Sequence, residues 1–307
     1  MWDCVVVGGG AAGQSAALVL GRARRRTLLV DAGRPSNLPA GAVGGLLWHE
    51  GRAPAELYAI GRAQLAALPS VEVRAGEVVD GLRADGAFTL ELAGGGRERT
   101  RRVLLATGMD YVAPDLPGLA PLWGGAVFHC PFCHGWEVRG RPLAVLAPAP
   151  RLVHAALLLT MWSDDVVALT GGAGDVPPED RARLEAAGVP LDGRPVARLR
   201  ADGRRLRAVV FADGATLARD GLMVATGMRP RAGLAARLGA ALAAGDGHGP
   251  AGAVRVDARQ RTDVPGLFAA GDAGGGMQQV TAAVASGALA GAMIVQSLLA
   301  ERHGLPG

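Results

Sequence analysis

Cys130 and Cys133 stand in the run His129-Cys130-Pro131-Phe132-Cys133-His134-Gly135-Trp136-Glu137. Two thiols at this spacing can close a disulfide and pass two electrons on. Structural zinc shares the Cys-x-x-Cys pattern but takes about four ligands, commonly two such pairs. The third cysteine, Cys4, lies in an apolar strand pattern, and His129 and His134 directly adjoin the thiols, a poor start for a tetrahedron. Covalent haem attachment uses Cys-x-x-Cys-His; it needs an exported chain and a haem-sized apolar crevice, and the sequence signals neither. A redox dithiol without a metal is the reading left. Trp136 either lines a substrate surface or packs its own helix.

The elements that must carry this pair begin at the N-terminus. Cys4-Val5-Val6-Val7 is a fully apolar run typical of a central parallel strand. Gly8-Gly9-Gly10-Ala11-Ala12-Gly13 follows at once, and a helical pattern from Ser15 to Gly21 follows that. This is G-x-G-x-x-G between strand and helix, where glycines allow the tight turn and the helix N-terminus faces a pyrophosphate. The next strand, Thr27 to Val30, ends in Asp31, placed to hold ribose hydroxyls. Near the other end, Leu267-Phe268-Ala269 reads as a short strand running into Gly271-Asp272, a second glycine turn with a carboxylate for a polyol chain. Gln279-Val280-Thr281 then leads into a helix expected from Ala282. The positive end of that helix can stabilise negative charge on a reduced ring. An ordinary cap at Thr281 is the plainer reading, and both can hold.

With 307 residues, half of them apolar, the chain can bury two sizeable cores. All 32 basic residues are Arg, spread along the chain at a net charge of +4, so no basic stripe points to nucleic acid. Three cysteines are too few for a secreted disulfide scaffold. The N-terminus runs straight into a strand without a leader pattern. The apolar stretch Val280 to Leu299 carries Gln296, two Ser and several small residues, and reads as a packed helix rather than a membrane span. A cytoplasmic protein is expected.

These features together resemble the FAD domain of the thioredoxin reductase-like flavoproteins. Thr262-x-x-Pro265-Gly266-x-Phe268-Ala269-x-Gly271-Asp272 is similar to that family's second FAD signature. Leu105-Ala106-Thr107-Gly108 and Val224-Ala225-Thr226-Gly227 resemble its two Ala-Thr-Gly strand ends, where the chain crosses between domains. The resemblance covers nearly the whole chain. It implies an α/β fold with two Rossmann-like, three-layer nucleotide-binding domains. A discontinuous FAD-binding domain would take residues 1–112 and 231–307, and residues 113–230 would form a degenerate NADPH-type domain carrying the dithiol. It implies FAD held by Gly8, Gly10, Ala11, Ala12, Gly13, Asp31, Ala106, Thr107, Gly108, Gly271, Asp272, Gln279, Val280 and Thr281, and a homodimer. It further implies that the motif opens a helix beside the flavin, that Cys133 attacks the flavin ring and that Cys130 exchanges with substrate. Where ordinary thioredoxin reductases carry Asp after the second Cys, this chain has His134. An imidazole titrating near neutrality can take a thiol proton and return it. Cys-Pro-aromatic-Cys-His-Gly resembles the subgroup that includes the flavin-dependent dithiol oxidases of holomycin and gliotoxin biosynthesis.

The family's second glycine turn is missing. After the strand expected at Pro142 to Leu146 the sequence reads Ala147-Pro148-Ala149-Pro150-Arg151-Leu152, with Ala147, Ala149 and Leu152 at the motif positions. Added Cβ atoms block close approach, and prolines remove N–H donors. The strand expected at Asp165 to Leu169 runs into Thr170 to Asp175 with no cation before Arg181 to meet a 2′-phosphate. The expectation is therefore an FAD-dependent dithiol oxidase acting on a small-molecule or peptide dithiol, with O2 as acceptor and H2O2 as product. The alternatives are a disulfide reductase fed by NADPH or a ferredoxin-like donor, and a flavin-bound protein that merely sequesters a dithiol metabolite.

Overall fold

The computed structural model describes residues 1–231, 233–245 and 250–305. It divides into two compact units: Met1–Leu38, Leu46–Tyr111 and Met228–Gly307 form the first, Pro39–Gly45 and Val112–Gly227 the second. The sequence assigned Pro39–Gly45 to the first domain. Instead that short connection groups with the second unit, where Gly124 leaves room for the backbone of Pro39 and Ala40 and Arg204 donates to the Pro39 carbonyl at 3.2 Å.

In the first unit, strand β1 (Trp2–Val7) leads through the glycine turn into helix α1 (Ala11–Arg22) and then strand β2 (Thr27–Asp31). β1 lies between β2 and the strand Arg97–Leu105, parallel to both, with Val7 opposite Val30 and Leu105. The strand Leu267–Ala269 extends this parallel set, Ala269 opposite Leu105, while Val78–Ala84 and Ala87–Leu92 add an antiparallel meander. Both faces are covered where the strands run apolar, at Cys4–Val7, Leu28–Val30 and Val103–Leu105. Val5, Val7, Leu28 and Leu105 pack one face with Phe88 and Leu234. Cys4, Val6, Leu29 and Leu104 pack the other with Ala16, Leu20 and Ile294. The parallel register brings the carboxyl ends of these strands to one edge, where Asp31 ends β2 and Gly8, Ala106 and Ala270 follow their strands.

The second unit has a five-stranded parallel sheet in the order Leu191–Asp192, Val166–Leu169, Leu143–Leu146, Gly221–Val224, Val127–Phe128. A three-stranded antiparallel sheet, Val196–Asp202, Arg205–Phe211 and Thr216–Ala218, accompanies it. Here too the chemistry follows a strand end: His129 and Cys130 come straight after Phe128.

Helix boundaries differ from the sequence reading at two places. α1 begins at Ala11 rather than Ser15, and the C-terminal helix begins at Val280 rather than Ala282 and runs to His303. With mean hydropathy 1.7 over its apolar window, that helix is long and apolar enough to cross a bilayer. One side of it is packed on α1 through Ala290, Ile294 and Leu298. Two glycines allow the close crossing. A Cβ at Gly291 would lie 2.9 Å from the Ala16 carbonyl oxygen, and one at Gly287 would run into the Ala12 backbone. Ser15 Oγ also donates to the Val284 carbonyl at 2.8 Å. Gly287→Ala is expected to cost about 1–3 kcal/mol, the usual penalty of an overpacked contact, read as a lower denaturant midpoint at unchanged slope.

Candidate active site

The redox segment is built on a buried strand end in the second unit. Phe128 is buried, His129 follows, and Cys130 is the N-cap of a short helix, Pro131–His134, that continues as a 3₁₀ turn, Gly135–Val138. Pro131 suits the first helical position because its fixed φ fits and its missing N–H is not needed there. The N–H groups of Cys133 and His134 both donate to the Cys130 carbonyl, each at 3.2 Å. Both cysteines are partly buried.

The electrostatics separate the two cysteines from the third. A hydrogen bond from the Cys133 thiol pulls Cys130 down to about 7; burial opposes this, and the N–H groups of Cys133 and Phe132 reinforce it. Burial pushes the Cys4 thiol far above the usual range, so it takes no part at neutral pH. The two imidazoles are kept neutral. Burial, with the neighbouring His134, lowers His129 to about 4, and its ring stacks on Trp123 at 5.6 Å. Burial also lowers His134, against the opposing pull of Glu137, and its ring lies 6.0 Å from Phe128. At neutral pH His134 is therefore a proton acceptor. Among the described residues, no group of three or more His, Cys, Asp or Glu could hold a metal ion.

Trp136 does not pack its helix: it is 63% exposed, with the Arg139 guanidinium 3.7 Å from its ring centre. The sequence did not single out Gly44. A Cβ there would lie 2.8 Å from the Cys133 carbonyl oxygen, so this glycine lets the Pro39–Gly45 segment close on the redox turn. Its only sequence signal is a Gly-Gly pair remote from the cysteines.

In the first unit, the residues read as the nucleotide site line one strand edge. Gly8 has φ +109°, and a Cβ there would strike the Ala106 carbonyl, while one on Gly13 would strike the Gly8 carbonyl. These two glycines close the chain on itself. Gly10 is different: a Cβ there would meet no protein atom within 4 Å, so its openness leaves room for a ligand at the N-terminus of α1. That terminus, Gly10 to Ala12, has no side-chain cap and no acidic residue in its first turn. Asp31 sits beside Gly9 and accepts from the Gly33 N–H at 2.8 Å. Thr107 and Gly108 continue the neighbouring strand end. Gly271 N–H donates to Ser286 Oγ at 3.0 Å, and Asp272 accepts from the Tyr111 hydroxyl at 2.9 Å. Burial raises the Asp272 carboxyl, while Tyr111 and the Arg231 charge lower it. The cap position of the C-terminal helix is Gln279, without a side-chain cap bond, and Val280 and Thr281 are its first two residues. Thr281 is thus not the cap, which corrects that reading; the orphan N–H groups of this turn stay available. This donor set and its open cradle fit a dinucleotide. Tyr111 was missed because it belongs to no motif.

The matching turn in the second unit is filled in. Ala147 and Leu152 are buried in the core, and the helix Ala149–Leu159 starts from Pro148 with Pro150 in its first turn. Arg151 is used on the Thr226 carbonyl at 3.0 Å. Gly171, Gly172 and Gly174 take positive φ in a turn of their own, where a Cβ on Gly171 would lie 2.8 Å from Leu146.

An edge of strand ends with a nucleotide cradle, joined in one chain to a Cys-x-x-Cys turn, defines a disulfide oxidoreductase of the flavoprotein type. Residues 2–153 and 179–287 match the pyridine nucleotide-disulphide oxidoreductase family, and the chain belongs to it. The unmatched residues, 154–178, comprise the rest of the helix Ala149–Leu159, the strand Val166–Leu169 and the glycine turn after it. The chain is 33% identical to thioredoxin reductase tcpT of Claviceps purpurea over 318 residues, covering 98% of this chain and 96% of that one. It is 30% identical to thioredoxin reductase sirT of Leptosphaeria maculans, covering 95% and 92%. Among solved structures, HlmI superposes with TM-score 0.92 at 39% identity over 99% of this chain and 94% of that one. An oxidoreductase from Agrobacterium tumefaciens gives 0.90 at 36% identity over 97% and 98%. The fold is thioredoxin reductase-like, with Rossmann-type nucleotide-binding architecture, and FAD is the cofactor. Tyr111→Phe, which leaves the half-buried Asp272 carboxylate without this donor, is expected to cost the apoprotein about 1 kcal/mol, measured by denaturant unfolding at neutral pH.

Proposed function

We propose that this disulfide oxidoreductase works as a dithiol oxidase: a small-molecule or peptide dithiol and O2 become a disulfide and H2O2. The observation that carries the reading is the contrast between the two turns. The redox turn is complete, whereas Pro148, Ala149 and Pro150 stand where a pyridine nucleotide would need N–H donors and bare backbone.

In this reading Cys130 and Cys133 start as a disulfide. A substrate thiolate attacks Cys130 Sγ, the Cys130–Cys133 bond breaks, and Cys133 leaves with the electron pair. The second substrate thiol then attacks the substrate sulfur of the mixed disulfide, and Cys130 leaves. A thiol held down to about 7 is a good leaving group in that step. His134, neutral in the resting site, accepts the proton of the attacking thiol and returns it to the departing one. The enzyme pair has then gained the two electrons and two protons that the substrate lost. FAD, when bound, supplies the two-electron acceptor that restores the pair and delivers the electrons to O2. Gly8, Gly10 to Gly13, Asp31, Ala106 to Gly108, Gly271, Asp272 and Gln279 to Thr281 would hold it. This reading treats residues 1–112 and 231–307, apart from Pro39–Gly45, as the FAD-binding domain and 113–230 as the redox domain. A homodimer, supported by family resemblance, and a cytoplasmic location, supported by the few cysteines, belong to the same reading.

Flavin absorbance under nitrogen tests it. Dithiothreitol is expected to bleach the flavin, air to restore it with one H2O2 per disulfide, and NADPH to leave it unchanged. Rapid bleaching by NADPH would instead make the enzyme a reductase. Cys130→Ser and Cys133→Ser should each abolish turnover. His134→Gln should lower kcat/KM about 100-fold. It should also remove the acid limb, which in the wild type lies below the usual histidine range because His134 loses its basic form only there.

A further inference from the structure

Gly135 raises a question that its own backbone does not answer. Its φ of −64° and ψ of −31° are ordinary helical values, where alanine is the better residue by about 1 kcal/mol. The reason for glycine lies across the unit. A Cβ at Gly135 would lie 2.9 Å from Cγ, Cδ1 and Nε1 of Trp162, so the indole ring occupies that place. The same ring meets Phe132, one of the two residues between the cysteines, edge-on at 5.3 Å and 85°. The Trp162 carbonyl accepts from the Gly140 N–H at 2.8 Å, just past the 3₁₀ turn. One residue thus touches the redox segment between its thiols, directly after His134, and at its exit.

Trp162 is itself firmly held. Its N–H donates to the Leu159 carbonyl at 3.0 Å at the end of the helix Ala149–Leu159, and its ring packs on the core of the second unit. The next residue, Ser163, donates to the Arg141 carbonyl at 2.6 Å, and Leu143 donates to the Asp165 carbonyl at 2.8 Å. The segment after that helix therefore lies laddered along 140–143. A rigid support on one side and a small, partly exposed turn on the other mean that the turn takes its shape from the ring.

We propose that Trp162 is a positioning residue of the redox turn, its ring seated against Gly135 and Phe132 so that Cys130 and Cys133 keep the mutual geometry that exchange requires. This rests on reading Cys130 and Cys133 as the redox pair. It does not depend on which acceptor reoxidises them.

The test uses the reduced, FAD-loaded full chain under nitrogen, with Cys130 alkylation by iodoacetamide followed against pH by mass spectrometry. The wild-type midpoint is expected near 7, where the Cys133 hydrogen bond holds it. Trp162→Ala loosens the turn and should move the midpoint up by about one unit; Trp162→Phe, which keeps an aromatic support, should restore it. Cys133, His129, His134 and Glu137, the other titratable groups on the segment, are unchanged in every variant. Gly135→Ala should reproduce the upward shift in the wild-type background and add nothing in the Trp162→Ala background, because the three atoms nearest its Cβ all belong to the ring. An unshifted midpoint in Trp162→Ala would overturn the proposal, as would a Gly135→Ala shift that is the same with and without the ring. If Trp162→Ala fails to fold, an unshifted Gly135→Ala overturns it equally. A wild-type Cys130 that titrates like a free thiol would defeat the redox-pair reading and this inference together.

Discussion

Helix α1 is held between two places where no Cβ intervenes. At its N-terminus Gly13 sits against the Gly8 carbonyl, and along its flank Gly287 and Gly291 of the C-terminal helix sit against Ala12 and Ala16. These contacts fix the height of α1 above the sheet to within a methyl group, and the glycine turn inherits that position. Packing at this density does not relax around an added atom. The open space at Gly10 therefore has a defined shape, and the cradle at the start of α1 is a consequence of how one helix is clamped rather than of the glycine motif alone.

The second unit applies similar architecture to a different end. Its parallel sheet also delivers its chemistry at the carboxyl ends of strands, but the turn after Leu143–Leu146 is closed by Pro148 and Pro150, and Leu152 fills the interior. The helix that begins there retains a task at its other end, where Trp162 supports the redox turn. A helix whose N-terminus has lost its donors can still serve as a strut, because its burial depends on Leu152, Val153, Ala156 and Leu159 and not on a ligand.

Burial then sets the proton chemistry. It keeps His129 and His134 neutral and places Cys4 out of reach, while the bond from Cys133 overcomes burial at Cys130 alone. One easily ionised thiol, one donor thiol and two neutral imidazoles are what thiol exchange calls on, since each departing sulfur needs a stable anion or a proton.

Much of this was legible from local pattern. The strand, glycines, helix and acid at Cys4 to Asp31 are neighbours in sequence and in space, because a β-α-β unit folds from contiguous residues. The Cys-x-x-Cys spacing and the prolines of the failed turn act over a few residues, so their meaning survives without coordinates. What only the tertiary structure decided lies across long separations. Tyr111 meets Asp272, Gly44 meets Cys133, Gly287 meets Ala12, and Trp162 meets Gly135. Periodicity and spacing carry no information about such pairs. Each is set by which strand ends the parallel register brings to one edge and by how closely two backbones can approach there, and those distances exist only once the chain has packed.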